Sequence, residues 1–332
     1  MQSLKILTSQ FRRHWVWIKW IVAITILTWL YRKNRDSFLE IDWAGLDLKL
    51  ILFAAILCLA GFLITFTRWY YLLRAQDLPV RYRDAVRLGF LGLLFNYVAP
   101  GGAGGDIVKA LLIAREHPER KTIAAATVLL DRILGMIALF CVGAVASIPF
   151  FPLPPLRQLQ MIAAVMWIGA VAGLLGLFLM IHTSLATSRL IEWMCRWKGI
   201  GGILHEIQQG ILLYRQRKSV LWMSVGLSLL GHFCILSVFY CASLALNAAA
   251  AVPGYLGHLF LIPAAELVGV LIPTPAGIGA LEGAVQGVFA IHNEMAGFPV
   301  TRQAAQGAGF SMALIFRAIN LTTSLVGAGF YL

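Results

Sequence analysis

Six stretches of this chain, at 16–31, 50–67, 122–148, 160–181, 219–246 and 303–332, are apolar enough to sit in hydrocarbon, and long enough or nearly so to cross a bilayer core. No other feature restricts the fold as much. Backbone N–H and C=O groups find no water in hydrocarbon, and a helix is the element that satisfies them within one segment. Hydrophobic residues make up 60% of the chain and charged residues 13%, against roughly 45–50% and 25% in soluble domains. At a mean hydropathy of +0.80 no water-soluble globule hides this much apolar side chain. The fold class is therefore all-α: a polytopic integral membrane protein with about six full transmembrane helices. That reading excludes a cytosolic enzyme and a secreted disulfide scaffold.

A net charge of +12 has a membrane explanation and calls for no nucleic-acid partner. Lys5, Arg12, Arg13 and Lys19 precede the first run without an acidic residue, and Arg68, Arg74, Arg81, Arg83 and Arg87 follow the second. The linker 32–49 has as many acidic as basic residues, 149–159 has one charge, and the charged residues of 182–218 are mostly basic. By the positive-inside rule both termini, 68–87 and 182–218 are cytoplasmic, while 32–49, 149–159 and 247–258 are outside. The expected location is a bacterial cytoplasmic (inner) membrane. Segment 182–218 reads as an amphipathic linker on the cytoplasmic face. Most Trp and Tyr residues, Trp69 among them, fall at predicted interfaces and read as anchors. The first run lacks a small-residue cleavage site and reads as an uncleaved span. Five cysteines, at 58, 141, 195, 234 and 241, have no ligand spacing, so neither a disulfide nor a metal is expected.

Two further hydrophobic segments, 88–115 and 258–290, are interrupted. In the first, Pro100, Gly101, Gly102, Gly104 and Gly105 break the chain before a helix opened by Asp106. In the second, Pro273, Pro275, Gly277 and Gly279 precede a helix carrying Glu282. Non-helical backbone at membrane depth survives only where protein or a water-filled cavity covers it. Broken segments at corresponding positions of two halves point to a transport site built on an inverted repeat. The alternative is a pair of kinked spans, with glycines for close packing and the two carboxylates as helix caps. GGAGGD lacks the strand context and the Lys of a phosphate-binding loop, so no nucleotide cofactor is expected.

Ionisable residues deep in apolar runs are expensive to expose and are functional candidates by default. Asp131 and Arg132 lie inside 122–148, Glu266 inside the second broken segment, and Arg317 inside the last run, with Asn320 one turn on. Arg68 and Lys109 sit nearer an interface. Charge closure pairs Arg317 with Glu282 or Glu266, and Arg132 with Asp106, as structural ion pairs or as substrate contacts. An arginine fork suits a lipid phosphate. Lys109 is placed to meet a headgroup at the cytoplasmic mouth, and Asn96 to offer it neutral hydrogen bonds. The expected substrate-binding set is thus Asn96, Asp106, Lys109, Arg132, Glu282 and Arg317. Gly104 and Gly105 are expected in an unwound turn, through positive φ or close backbone approach. No HExxH, G-x-S-x-G or Ser/Cys–His spacing marks a hydrolase, and no enzymatic activity is expected.

NYVAPGGAGGD at 96–106, LLDRILGM at 129–136 and IPTPAGIGALEG at 272–283, together with the Arg68 region, resemble the lysylphosphatidylglycerol synthase/flippase transmembrane family, also described as flippase-like or UPF0104. The resemblance runs from about 15 to 330 and implies a single flippase-like transmembrane domain over 1–332. The family's first motif has a shorter glycine run, and its middle span often has Glu-Arg where this chain has Asp131-Arg132. The large synthases also carry a C-terminal aminoacyl-transferase domain, and this chain stops at Leu332. The resemblance implies translocation of a phospholipid or lipid-linked precursor rather than its synthesis, with an enzyme of lipid synthesis as a partner. The alternatives are an accessory membrane protein of an envelope-lipid or glycosyl-transfer pathway, and a membrane-embedded transferase, for which no donor site is visible.

Overall fold

The computed structural model describes residues 20–39, 43–98, 104–152, 156–182, 193, 201–246, 252–297 and 300–331. These residues are helical apart from short connections. A helix over 20–33 (α1) continues into Arg35–Leu39 (α2), followed by Leu48–Arg74 (α3), Tyr82–Val98 (α4), Gly104–Glu116 (α5) and Lys121–Ser147 (α6). After these come Arg157–His182 (α7), Gly201–Gln216 (α8), Lys218–Ala245 (α9), Tyr255–Leu271 (α10), Ala280–Ala296 (α11) and Arg302–Tyr331 (α12).

The protein is an all-α, multi-pass membrane protein. Five helices (α3, α6, α7, α9 and α12) are long and apolar enough to cross a membrane. The sequence leads one to expect six. The missing one is the first run, which is described only from residue 20, and the 14 residues of 20–33 fall short of a full crossing. Pro100, Gly101 and Gly102 lie outside the described residues, as do 183–192 and 194–200 of the amphipathic linker.

Between membrane helices there is no hydrophobic drive, because lipid tails are as apolar as leucine. Close packing of small residues and a few polar contacts hold the bundle instead. Gly61 of α3 lies where a Cβ would stand 3.0 Å from Ile235 of α9. Gly89 of α4 faces the Phe66 ring, and Gly327 of α12 faces Phe90, both closer than a Cβ tolerates. Phe239 and Phe316 stack with centroids 3.7 Å apart and so bind α9 to α12. Trp69 is buried, and its indole N–H donates to the Thr127 hydroxyl at 3.2 Å. It is a core residue of the α3–α6 contact, not an interface anchor: its place near a span end misled the sequence reading. The outermost spanning helix is α7, whose Ile168, Val171, Leu175 and Phe178 face outward as a lipid-contacting stripe.

The two interrupted segments each fold as a helix pair, α4 with α5 and α10 with α11. In the first, Gly105 lies so close to α4 that a Cβ there would be 1.8 Å from the Gly92 carbonyl oxygen. Gly104 and Gly105 are already helical, and neither has positive φ. Close approach, not left-handed backbone, is therefore what glycine supplies here. In the second pair the break is sharper. After Leu271 the chain passes Pro273 into a 3₁₀ turn at Pro275–Gly277, with Ala276, Gly277 and Gly279 all at positive φ.

Candidate functional site

Both breaks deliver a carboxylate to the first turn of the helix that follows them. There the free backbone N–H groups favour negative charge. Glu282 is fully buried, and one of its oxygens accepts the Gly279 N–H at 2.7 Å, which caps α11. Its other oxygen accepts from Nε of Arg317 on α12. Arg317 also donates Nη1 to the Ala276 carbonyl at 3.1 Å, so it ties the 3₁₀ turn to α12. Its buried Nη2 has no hydrogen-bond partner among the described residues.

Asp106 holds two cations. Lys109, one turn on, lies 2.8 Å from one oxygen, and Arg132 of α6 lies 3.1 Å from the other. Lys109 packs over the Trp69 ring at 5.2 Å and is largely covered. It is folded back on its own helix: its ammonium is held by Asp106 and lies over the Trp69 ring. Asn96 accepts the Gly105 N–H at 2.8 Å through its side-chain carbonyl. It therefore acts first as a cap for the start of α5, reached from α4 across the break.

Arg68, which sequence position reads only as a charge nearer an interface, is buried between helices. Its Nε donates to Asp131 at 2.7 Å and its Nη1 to Ser228 at 2.8 Å, joining α3, α6 and α9. Adjacent Asp131 and Arg132 thus turn to different partners, as the 100° step of a helix requires. In sequence Arg68 shows only as a charge at the end of an apolar run, because its partners lie 63 and 160 residues downstream.

These elements surround one cavity of about 400 Å³. Arg68, Arg132, Arg317, Asn96 and Glu266 all face it, with Tyr97 and Asn320, which are hydrogen-bonded to each other at 3.1 Å. Of the residues expected at a substrate site, Asn96, Arg132 and Arg317 line this cavity. Asp106 and Glu282 stand behind the two arginines and fix them, while Lys109 stays with Asp106. The Arg317 partner is Glu282 and not Glu266. The volume falls in the range of small-ligand sites, about 300–1,000 Å³, which suits a headgroup rather than a whole lipid. The cavity has an apolar wall from Leu93, Leu139, Ile235 and Phe316, and a few polar groups set among it. Among the described residues no group of His, Cys, Asp and Glu is arranged to hold a metal ion.

A family model described as lysylphosphatidylglycerol synthase TM region matches this chain over residues 16–327. No curated protein matches it.

Proposed function

The chain belongs to the lysylphosphatidylglycerol synthase transmembrane-region family, and from that premise we propose that it moves an anionic phospholipid or lipid-linked precursor across the cytoplasmic membrane. The observation that carries this reading is a single cavity faced by three arginines, of which Arg132 and Arg317 come from different helices and are held from behind by Asp106 and Glu282. Each of these carboxylates stands at the start of the helix leaving a different break. Guanidinium groups bind a phosphate by paired, charge-assisted hydrogen bonds. Arg317 brings a spare donor in Nη2. The headgroup occupies the cavity while its acyl chains stay in the bilayer. Asp106 and Glu282 hold the arginines when the cavity is empty and reclaim them on release. Asn96, with Tyr97 and Asn320, offers neutral hydrogen bonds to the rest of the headgroup. The protein supplies no covalent chemistry, and an enzyme of lipid synthesis provides the substrate.

The direct test places the purified protein in vesicles containing a fluorescent phosphatidylglycerol and follows dithionite quenching of each leaflet. Protein-containing vesicles are expected to exchange the label between leaflets. Arg132→Gln is expected to slow that exchange about tenfold or more, the worth of a charged hydrogen bond lost from the transported state. Exchange no faster than in protein-free vesicles overturns the reading.

The same proposal fixes the frame in the membrane: one domain with two broken helix pairs inserted from opposite faces as an inverted repeat, and both termini cytoplasmic. In a cysteine-free background, Leu156→Cys is expected to react with an impermeant thiol reagent in intact cells. Glu116→Cys at the end of α5 is expected to react only after permeabilisation. The reverse pattern rejects the orientation.

A further inference from the structure

The charges around the cavity are nearly all committed. Asp131 is held by Arg68, Asp106 by Lys109 and Arg132, and Glu282 by Arg317. Glu266 is the exception. It lies about two thirds of the way along α10, lines the cavity, and has no ion pair or hydrogen bond among the described residues. Counting Arg68, Lys109, Arg132 and Arg317 against Asp106, Asp131, Glu266 and Glu282, the site is neutral when Glu266 is ionised. An arriving phosphodiester adds one negative charge that no existing cation is left over to match. Uncompensated charge in such surroundings is strongly unfavourable.

We propose that Glu266 takes up one proton from the aqueous phase when an anionic headgroup is bound and returns it on release, so that each lipid carries a proton with it. A new O–H bond forms on the carboxylate as the phosphate docks on Arg132 and Arg317, and the site is neutral both empty and filled. The other carboxylates are poor candidates, since protonating any of them breaks an ion pair that positions an arginine. Facing Glu266 across the cavity are Arg68 of α3, Tyr97 of α4, Arg132 of α6, His232 of α9 and Arg317 of α12. From α11 comes Glu282, already paired, and α7 carries titratable groups only at its ends, Arg157 and His182. His232 is the other group able to titrate. Its Nε2 is 2.9 Å from the Gly135 carbonyl oxygen, so that nitrogen carries a proton and donates it there.

This inference rests on the phosphate clamp proposed above, and the test separates the two. Water-soluble dihexanoyl-phosphatidylglycerol is titrated calorimetrically into the full chain in detergent, across pH and in buffers of different ionisation enthalpy. The wild type is expected to absorb about one proton per lipid bound. Its Kd should rise about tenfold per pH unit across the window in which Glu266 is charged when empty and neutral when filled. Glu266→Gln is expected to bind with no proton uptake and a flat pH profile, and His232→Gln to keep the wild-type slope. Wild-type binding without proton uptake overturns the proposal and leaves the clamp standing, as does a slope that persists in Glu266→Gln or vanishes in His232→Gln. Failure of the wild type to bind this lipid at all overturns the clamp, and the proton proposal with it.

Discussion

Arg317→Met is expected to cost about 3–5 kcal/mol of folding free energy, because it strands a fully buried carboxylate without its cation. In detergent this reads as a large fall in the temperature of thermal unfolding. The double change Glu282→Gln with Arg317→Met is expected to recover most of that loss. Gln still accepts the Gly279 N–H that caps α11, as the capping-box preference for Glu or Gln allows, and no uncompensated charge remains. The double variant should nevertheless leave lipid exchange at the protein-free rate, because Arg132 loses the partner with which it clamps a phosphate, and Arg68 stays committed to Asp131 and Ser228. Full exchange in a stable double variant makes Arg317 a structural tie alone.

Gly105→Ala tests the other break. The added Cβ would fall 1.8 Å from the Gly92 carbonyl oxygen and 2.9 Å from the side-chain oxygen of Asn96. Backbone cannot swing aside as a flexible side chain does, so α4 and α5 must separate. A loss of about 3 kcal/mol is expected, the upper end for overpacking. Asp106 then moves away from Arg132, and lipid exchange should fall with it. Gly226→Ala in α9, where nothing stands within 4 Å of the new atom, is the matched control and should behave as wild type. Wild-type stability in Gly105→Ala shows that the two helices part freely at this crossing.

Both breaks could be read from residue order, because proline and glycine interrupt a hydrophobic run in a way that has few structural outcomes. Closure of Arg132 on Asp106 followed from charge and depth, and so did closure of Arg317 on an acidic partner. Choosing Glu282 over Glu266 did not, since both lie on the second broken segment and only the positive-φ turn at Ala276–Gly279 decides which one meets α12. The capping role of Asn96 was hidden for a similar reason: its partner, Gly105, is nine residues on and reached only after the chain has doubled back. The burial of Arg68 and Trp69 depends on α6 and α9, contributed 58 to 160 residues later, and no local pattern around residue 68 encodes that distance.

The Arg68 contacts impose an order on biosynthesis. Asp131 lies 63 residues and Ser228 160 residues downstream, so α3 emerges with its guanidinium long before either acceptor exists. At synthesis rates of about 5–20 residues per second the wait for Ser228 is on the order of ten seconds. During it the arginine must keep its head at the aqueous boundary, with α3 seated shallowly or shielded by the insertion machinery. Once α6 supplies Asp131 the charge can be drawn in, and the helix settles to its final depth only as α9 arrives. A nascent chain arrested before residue 131 should therefore hold the Arg68 end of α3 closer to the aqueous boundary than the finished protein does.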